Sequence, residues 1–401
     1  MTNSDSILQQ IRIFRAARKA RRKQLSKFRQ LQSPQNAWTI AEHVDGAATH
    51  IEFGPHNLSM SVLSGAGALP EVRDHTALAL AAISMSQNAH LTYTGPVSDQ
   101  MAERLEKIAR AYRLWSVPRL APLRLTLTNV VAQDRREMPA DPSGLICLSG
   151  GLDSFYAAVR AKQAGDVHHA LLIAGLDYES DVAPGFVDLK SRVAGAAQAF
   201  GFEMLYARSD INRRGFAWSH MHGLNLGACL NLFADKFSFG VFAQDNTAIQ
   251  DLHRHPWGNN GVLDQLISTT RFPIRTYGRS ADRVDKLRTI LEWDESVIQY
   301  LSVCYADNST GGNCGHCDKC CQTRAAFEAL GASDRGVFQT RPNLAQRFRE
   351  MKVPDKMELT RGMMCRIAEL ADALPDGETR DAVVALEERL QIAFLQAGPV
   401  R

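Results

Sequence analysis

The sequence predicts an α/β protein: a doubly wound parallel sheet over residues 144–330, preceded by a smaller α+β domain (36–132) and followed by a helical region (331–401). Three observations lead there. After Gly144, apolar runs of strand length alternate with helical segments, the pattern of a parallel sheet covered on both faces. A polar stretch, Gln133–Ser143, carries two prolines and no hydrophobic period, and reads as a linker. At 401 residues the chain exceeds one ordinary domain.

In the first domain, short strands are expected at Ala37–Ile40, Thr49–Phe53 and Leu58–Val62, broken by Gly46, Gly54 and Pro55. His75–Met85 reads as an Ala/Leu helix, and Ser98 as the cap of a helix over Asp99–Trp115. Leu123–Val130 alternates apolar and polar residues as a half-buried strand does, and Gly65-Ala66-Gly67 reads as a loop. In the second domain the expected strands are Leu145–Leu148, Ala170–Ala174, Met204–Ala207, Gly240–Ala243 and Phe272–Thr276. Between and after them come helices at Ser154–Gln163, Pro184–Phe200, Leu224–Phe237 and Ala281–Leu291. From Ala325 onward the chain reads as mostly helical, with a break at Arg341–Asn343.

Hydrophobic residues make up 45% and charged residues 22%, which excludes a disordered or collagenous chain. No apolar run reaches the roughly 20 residues of a membrane span, and the start of the chain lacks a secretory pattern, so a cytoplasmic protein is expected. Nine of the 46 basic residues lie between Arg12 and Arg29 with no acidic residue among them, leaving 37 basic against 43 acidic elsewhere. Residues 1–35 thus form a basic arm. It reads first as a solvated helix and second as an electrostatic contact for nucleic acid.

The most informative segment is Ser149-Gly150-Gly151-Leu152-Asp153-Ser154. An apolar strand runs into two glycines and a helix begins at once. Glycine lets the backbone approach an anion, and the helix start offers unpaired N–H groups and the positive end of its dipole. Ser149 and Ser154 add hydroxyls, and Asp153 suits Mg²⁺ or orients the loop. The six-residue string resembles the PP-loop of the N-type ATP pyrophosphatases. That resemblance implies a HUP-like fold, binding of ATP with Mg²⁺ by these six residues, and catalytic roles for Ser149 and Asp153.

Cys304-x9-Cys314-x2-Cys317-x2-Cys320 places four thiols within 17 positions. Such spacing suits a closed tetrahedral Zn²⁺ site of structural type, with an iron–sulfur cluster as the competitor. Lys319 and Arg324 offset its charge, and Cys321 is a spare. A PP-loop followed by Cys-x9-Cys-Gly-x-Cys-x-x-Cys resembles the 7-cyano-7-deazaguanine synthase-like (QueC-like) family over about Gly144–Leu330. The resemblance implies an ATP-dependent C–N ligase that turns a heterocyclic carboxylate, 7-deazaguanine-related, into an amide or nitrile with ammonia, releasing AMP and pyrophosphate. QueC-like proteins with extra domains imply another acceptor, an amine on a protein partner. A homodimer is a candidate assembly. Where those synthases carry a Tyr-Gly-Gln-like segment, this chain has Gly175–Ser180, and only Tyr178 is similar.

Two His-x-His groups flank the expected sheet. Trp218–Gly223 holds His220 and His222 and precedes the expected third helix; Asp251–Gly258 holds His253, His255 and Trp257. Segments after strand ends line the crevice of such sheets. His220, His222, His255 and Trp257 are therefore expected at the substrate pocket, the resemblance adds Tyr178, and Gln244-Asp245-Asn246 lies at the same edge. Two other functions fit the sequence. An ATP-dependent sulfurtransferase acting on a purine or tRNA would use Cys147, Cys229 or Cys321 as nucleophile. A non-catalytic nucleotide- or RNA-binding module would use the basic arm.

Overall fold

A computed structural model describes residues 26, 30–64, 68–115, 117, 120–132, 142–178, 180–211, 217–253, 257–306, 311–354 and 357–396. Apart from Ser26, the basic run Arg12–Arg29 lies outside the described residues, as do the Gly65–Gly67 loop, most of the expected linker and His255.

The main sheet has eight strands: β2 (Ala41–Asp45), β3 (Ala48–Phe53), β4 (His56–Ser64), β9 (Gly144–Cys147), β10 (Val167–Ala174), β11 (Glu203–Ser209), β12 (Phe239–Ala243) and β13 (Ile274–Tyr277). Their order is β13-β12-β9-β10-β11-β4-β3-β2. The five strands from β13 to β11 are parallel. β4 then pairs antiparallel with β11, and β3 and β2 continue the hairpins. The sheet is therefore mixed rather than wholly parallel. Strands expected in a separate domain extend it, because β11 would otherwise expose its unpaired edge.

Each central strand is apolar on both faces. In β10, Ala170, Leu172 and Ala174 enter one core while Leu171 and Ile173 enter the other; in β9, Ile146 and Leu145 divide the same way. This alternation is the period of two of a strand buried between helical layers.

One layer is formed by α3 (Leu152–Ala164), α4 (Pro184–Phe200), α8 (Arg283–Asp294), a 3₁₀ turn (Glu295–Tyr300) and α9 (Asp318–Ala329). The C-terminal helices α10 (Leu344–Glu350), α11 (Met357–Ala373) and α12 (Glu378–Gln396) continue its core through Phe348, Ile367, Leu386 and Leu390.

The opposite layer holds α1 (Asp74–Gln87), α2 (Asp99–Trp115) and α5 (Trp218–Asn231). α1 is buried on nearly every side, which explains its Ala/Leu composition without an amphipathic stripe. β5 (Ala89–Tyr93) packs on it, in a small parallel sheet with β1 (Asn36–Thr39) and β7 (Leu125–Leu127). β6 (Val97–Ser98) and β8 (Val130–Val131) pair in parallel beside it. Ser98 caps α2 as expected, its hydroxyl accepting from the Met101 amide at 3.0 Å. Among the described residues no helix is long and apolar enough to cross a membrane.

Candidate active site and cysteine centre

The chain leaves β9 for β10 and β11 on one side, then returns to place β12 and β13 on the other. The order therefore reverses between β9 and β12, and ligand crevices open at such switch points beyond the strand C-termini. A cavity of about 250 Å³ lies there, lined by Cys147 and Ala243 at those two strand ends.

The glycine segment forms the first wall. Gly150 has φ +83°, a backbone conformation that disfavours side chains, and its carbonyl accepts from the Ser302 amide at 2.8 Å. Gly151 is different. Its φ of −74° suits any residue, and a Cβ there would meet nothing closer than the Ser149 hydroxyl at 3.5 Å. The fold thus tolerates a side chain at Gly151, whereas an approaching ligand would not. α3 begins beside it without a side-chain cap, so the start of a 13-residue helix faces the cavity. The Ser154 hydroxyl donates to the Gly151 carbonyl at 2.8 Å and Ser149 lies 3.3 Å from it, so both hydroxyls sit at the loop. These features fit an anion such as a phosphate chain.

Asp153 is held by a residue the sequence reading missed. Lys286 of α8, 2% exposed, donates to Asp153 Oδ1 at 2.7 Å and to the Gln244 carbonyl at 2.7 Å. The Gln244 side chain in turn donates to Asp264, in the short helix α7 (Leu263–Leu266), whose carboxyl burial pushes up to about 8. One buried cation therefore ties the loop after β9 to the end of β12. A lysine at helical spacing in a charged segment reads as a solvated face, so only its burial marks it.

The opposite wall is aromatic. Here the structure corrects the sequence reading: α5 begins at Trp218, not after Gly223, so the first His-x-His group lies on the helix. Residues two apart on a helix point in nearly opposite directions, and residues four apart share a face. His222 accordingly lines the cavity with Trp218, their rings 5.1 Å apart and His222 Nδ1 3.0 Å from the Trp218 carbonyl. His220 is buried on the other side, and its carbonyl accepts from the Tyr112 hydroxyl.

Trp257 joins the wall because Gly223 and Gly258 permit close contact. A Cβ on Gly223 would lie 1.8 Å from the Gly258 carbonyl oxygen. Trp257 donates to Asp245 Oδ2 at 2.6 Å, and His222 Nε2 lies 3.6 Å from the same oxygen. Packing of the wall against it would by itself raise the Asp245 carboxyl, although 40% of the side chain stays exposed. The nearby His222 ring, the Trp257 N–H and the Lys319 charge outweigh that and hold the group well below the carboxylate range. Tyr178 does not reach the cavity. It packs in the core edge-on to Phe186, while its neighbours Leu176 and Asp177 line the wall instead.

The four cysteines come together as expected. The Sγ atoms of Cys304, Cys314, Cys317 and Cys320 lie within 4.8 Å of one another, with Cys304–Cys317 at 3.8 Å and Cys314–Cys320 at 3.9 Å. Sulfurs about 2.3 Å from one tetrahedral ion are about 3.8 Å apart, so the group could hold a zinc ion. A four-iron cluster places an iron under each thiolate and needs wider spacing. The hydrogen bond from the Cys320 thiol, against the cost of burial, pulls Cys317 down to about 5, toward the thiolate a metal requires.

Asn313, fully buried, clamps the group. It accepts from the Val303 amide at 2.7 Å and donates to the Leu301 carbonyl at 2.8 Å. Ser302, between them, is the residue bonded to Gly150. Cys304, Tyr305 and Lys319 line the cavity, so the cysteine centre forms its third side, and Arg283 of α8 reaches it as well. Arg324 bonds the Gly315 and Pro342 carbonyls and so braces the turn.

Of the thiols weighed as nucleophiles, Cys229 and Cys321 are buried, and Cys147 is half-buried at the cavity wall. Burial pushes Cys229 up to about 12 and Cys321 to about 11, and raises Cys147 further. No protein-family model, curated protein or solved structure matched the chain.

Proposed function

We propose that the protein is an ATP-dependent adenylating ligase that joins a carboxylate to an amine through an acyl-adenylate, as the QueC-like resemblance implies. The observation that carries this reading is the loop itself. An uncapped helix start and a glycine the backbone does not require face a cavity at the point where strand order reverses.

In this reading the amides at Gly151–Ser154 and the Ser149 hydroxyl hold the phosphates of ATP, while the Ser154 hydroxyl, donated to the Gly151 carbonyl, fixes the loop. A substrate carboxylate oxygen attacks the α-phosphorus, the α–β phosphoanhydride bond breaks, and pyrophosphate leaves. The amine then attacks the acyl carbon, the carbon–oxygen bond to AMP breaks, and the amine gives up a proton. Fixed donors serve this chemistry because they need not reorganise as charge builds. Mg²⁺, where bound, would be held by Asp153 and would neutralise charge on the phosphates. Lys286 keeps Asp153 aimed, and Arg283 and Lys319 supply positive charge from the far side. Zinc at Cys304, Cys314, Cys317 and Cys320 would be structural, since four thiolates leave no open position.

Sulfur transfer draws less support, because each available thiol is raised by burial. The test is product analysis with Mg·ATP, ammonium and 7-carboxy-7-deazaguanine. AMP with pyrophosphate is expected; ADP, or AMP formation that needs Cys147, would overturn the reading.

A further inference from the structure

We infer that Asp245 is the specificity-determining residue of the acid-substrate site: it takes the N–H edge of a planar heterocycle that lies against Trp218 and Trp257. The inference rests on the ligase reading and deepens it. Asp245 is 40% exposed on the cavity wall, yet it faces no lysine or arginine within ion-pair distance among the described residues. Its Oδ2 is already oriented by Trp257 Nε1 at 2.6 Å, and Oδ1 has no hydrogen-bond partner among the described residues. A carboxylate in this state only accepts, and two oxygens side by side match two adjacent N–H donors.

The surroundings select the rest of the ligand. Trp218, His222 and Trp257 line the wall, the His222 ring 5.1 Å from Trp218 at a tilt of 36° and 5.2 Å from Trp257, edge-on at 66°, an aromatic lining for a flat π-system. His222 Nε2 is buried 3.6 Å from Asp245 Oδ2, beyond hydrogen-bond distance, so the ring backs the carboxylate without bonding it.

The cavity is thus polarised. Its glycine end favours anions through the start of α3, and its Asp245 end repels them. An acid substrate enters in one orientation, carboxyl toward Gly151 and donor edge toward Asp245. A ring with an amino group next to a ring N–H gives Asp245 two bonds, one to each oxygen; a ring lacking the amino group gives only one, and Oδ2 keeps only its Trp257 bond. Sites built around such bonds discriminate strongly against the analogue that lacks them.

The experiment titrates the full-length protein, without ATP, with 7-carboxy-7-deazaguanine and with its analogue lacking the 2-amino group, reading tryptophan fluorescence. Quenching by the first compound is expected, with at least tenfold weaker binding of the second. Asp245→Asn should weaken the first compound at least tenfold and abolish the discrimination. Trp257→Phe, which keeps a ring and removes the orienting N–H, should fall between. Equal affinity of the two compounds for the wild type, no quenching by either, or unchanged binding in Asp245→Asn would overturn the inference. Because the two ligands are compared on the wild type, a variant that fails to fold leaves the test decisive. Gly151→Val, titrated with both ATP and the heterocycle, separates the two readings. Loss of ATP alone supports both, and unchanged ATP binding sinks the ligase reading while leaving the Asp245 result standing.

Discussion

The two ends of the cavity are built by opposite means. At the glycine end, six consecutive residues do the work, and the groups offered are backbone amides at the start of α3. At the aromatic end, Trp218, His222, Asp245 and Trp257 come from a helix, a strand end and a loop, and the groups offered are side chains. A backbone site needs only a local turn and is hard to alter by substitution except at its glycines. A side-chain site depends on helix phase and on close approach, here of Gly223 to Gly258, and is easily retuned. Lys286 joins the two, bonded to Asp153 on one side and to the Gln244 carbonyl on the other.

The most severe way to break the comparison is through the cysteine centre, which supports the glycine end. Structural zinc sites contribute on the order of 10 kcal/mol to folding. Cys317→Ser should therefore lose bound metal and soluble protein together. Partial chelation should weaken ATP binding before it weakens heterocycle binding, because Ser302 links the centre to Gly150. Metal analysis and paired titrations check this; protein with no zinc, or with iron and sulfide, would refute the assignment.

Removing the joint comes next. Lys286→Met leaves the Asp153 charge without its buried partner, at a cost of about 3 kcal/mol in urea unfolding. That is the low end for a broken buried pair, because Asp153 reaches solvent. A shift in the midpoint under about 1 kcal/mol would show that the pair is dispensable.

The glycines themselves sharpen the contrast. Gly151→Val should weaken ATP binding about 100-fold, equivalent to about 2.7 kcal/mol, with thermal stability unchanged. Gly150→Ala should instead cost about 1–2 kcal/mol of stability, because φ +83° is strained for a residue with a Cβ. Calorimetry and thermal melts distinguish the two, and a Gly151→Val protein with normal ATP affinity would remove the phosphate site.

The smallest effect is in pH. Asp264 in the folded protein titrates near 8, far above its unfolded value near 4. Its contribution to stability is fully present below about pH 4, declines as pH rises, and is lost once pH passes about 8. Urea midpoints should fall steadily between pH 5 and 8.5, and Asp264→Asn should flatten that slope. Glu369, which burial pushes up to about 7, adds a slope of the same sign that the variant keeps.

Local signals were sufficient for much of this. The alternation of apolar runs identified the five parallel strands, Ser98 the start of α2, and the Ser149–Ser154 and Cys304–Cys320 spacings the loop and the thiol cluster. Each depends on residues near one another in the chain, where backbone period, capping and ligand spacing operate.

Other features depended on packing. That β4 pairs with β11 comes from an edge that only the assembled sheet possesses. Trp218–Gly223 begins α5 without a side-chain cap because burial of the helix outweighs weak local preference, and helix phase then sends His222 to the cavity and His220 away from it. Tyr178 fell into the core and Lys286 into the site for the same reason. Which side of an element meets a cavity, and which charge loses its water, are set by contacts between segments distant in sequence, and those exist only once the chain has packed.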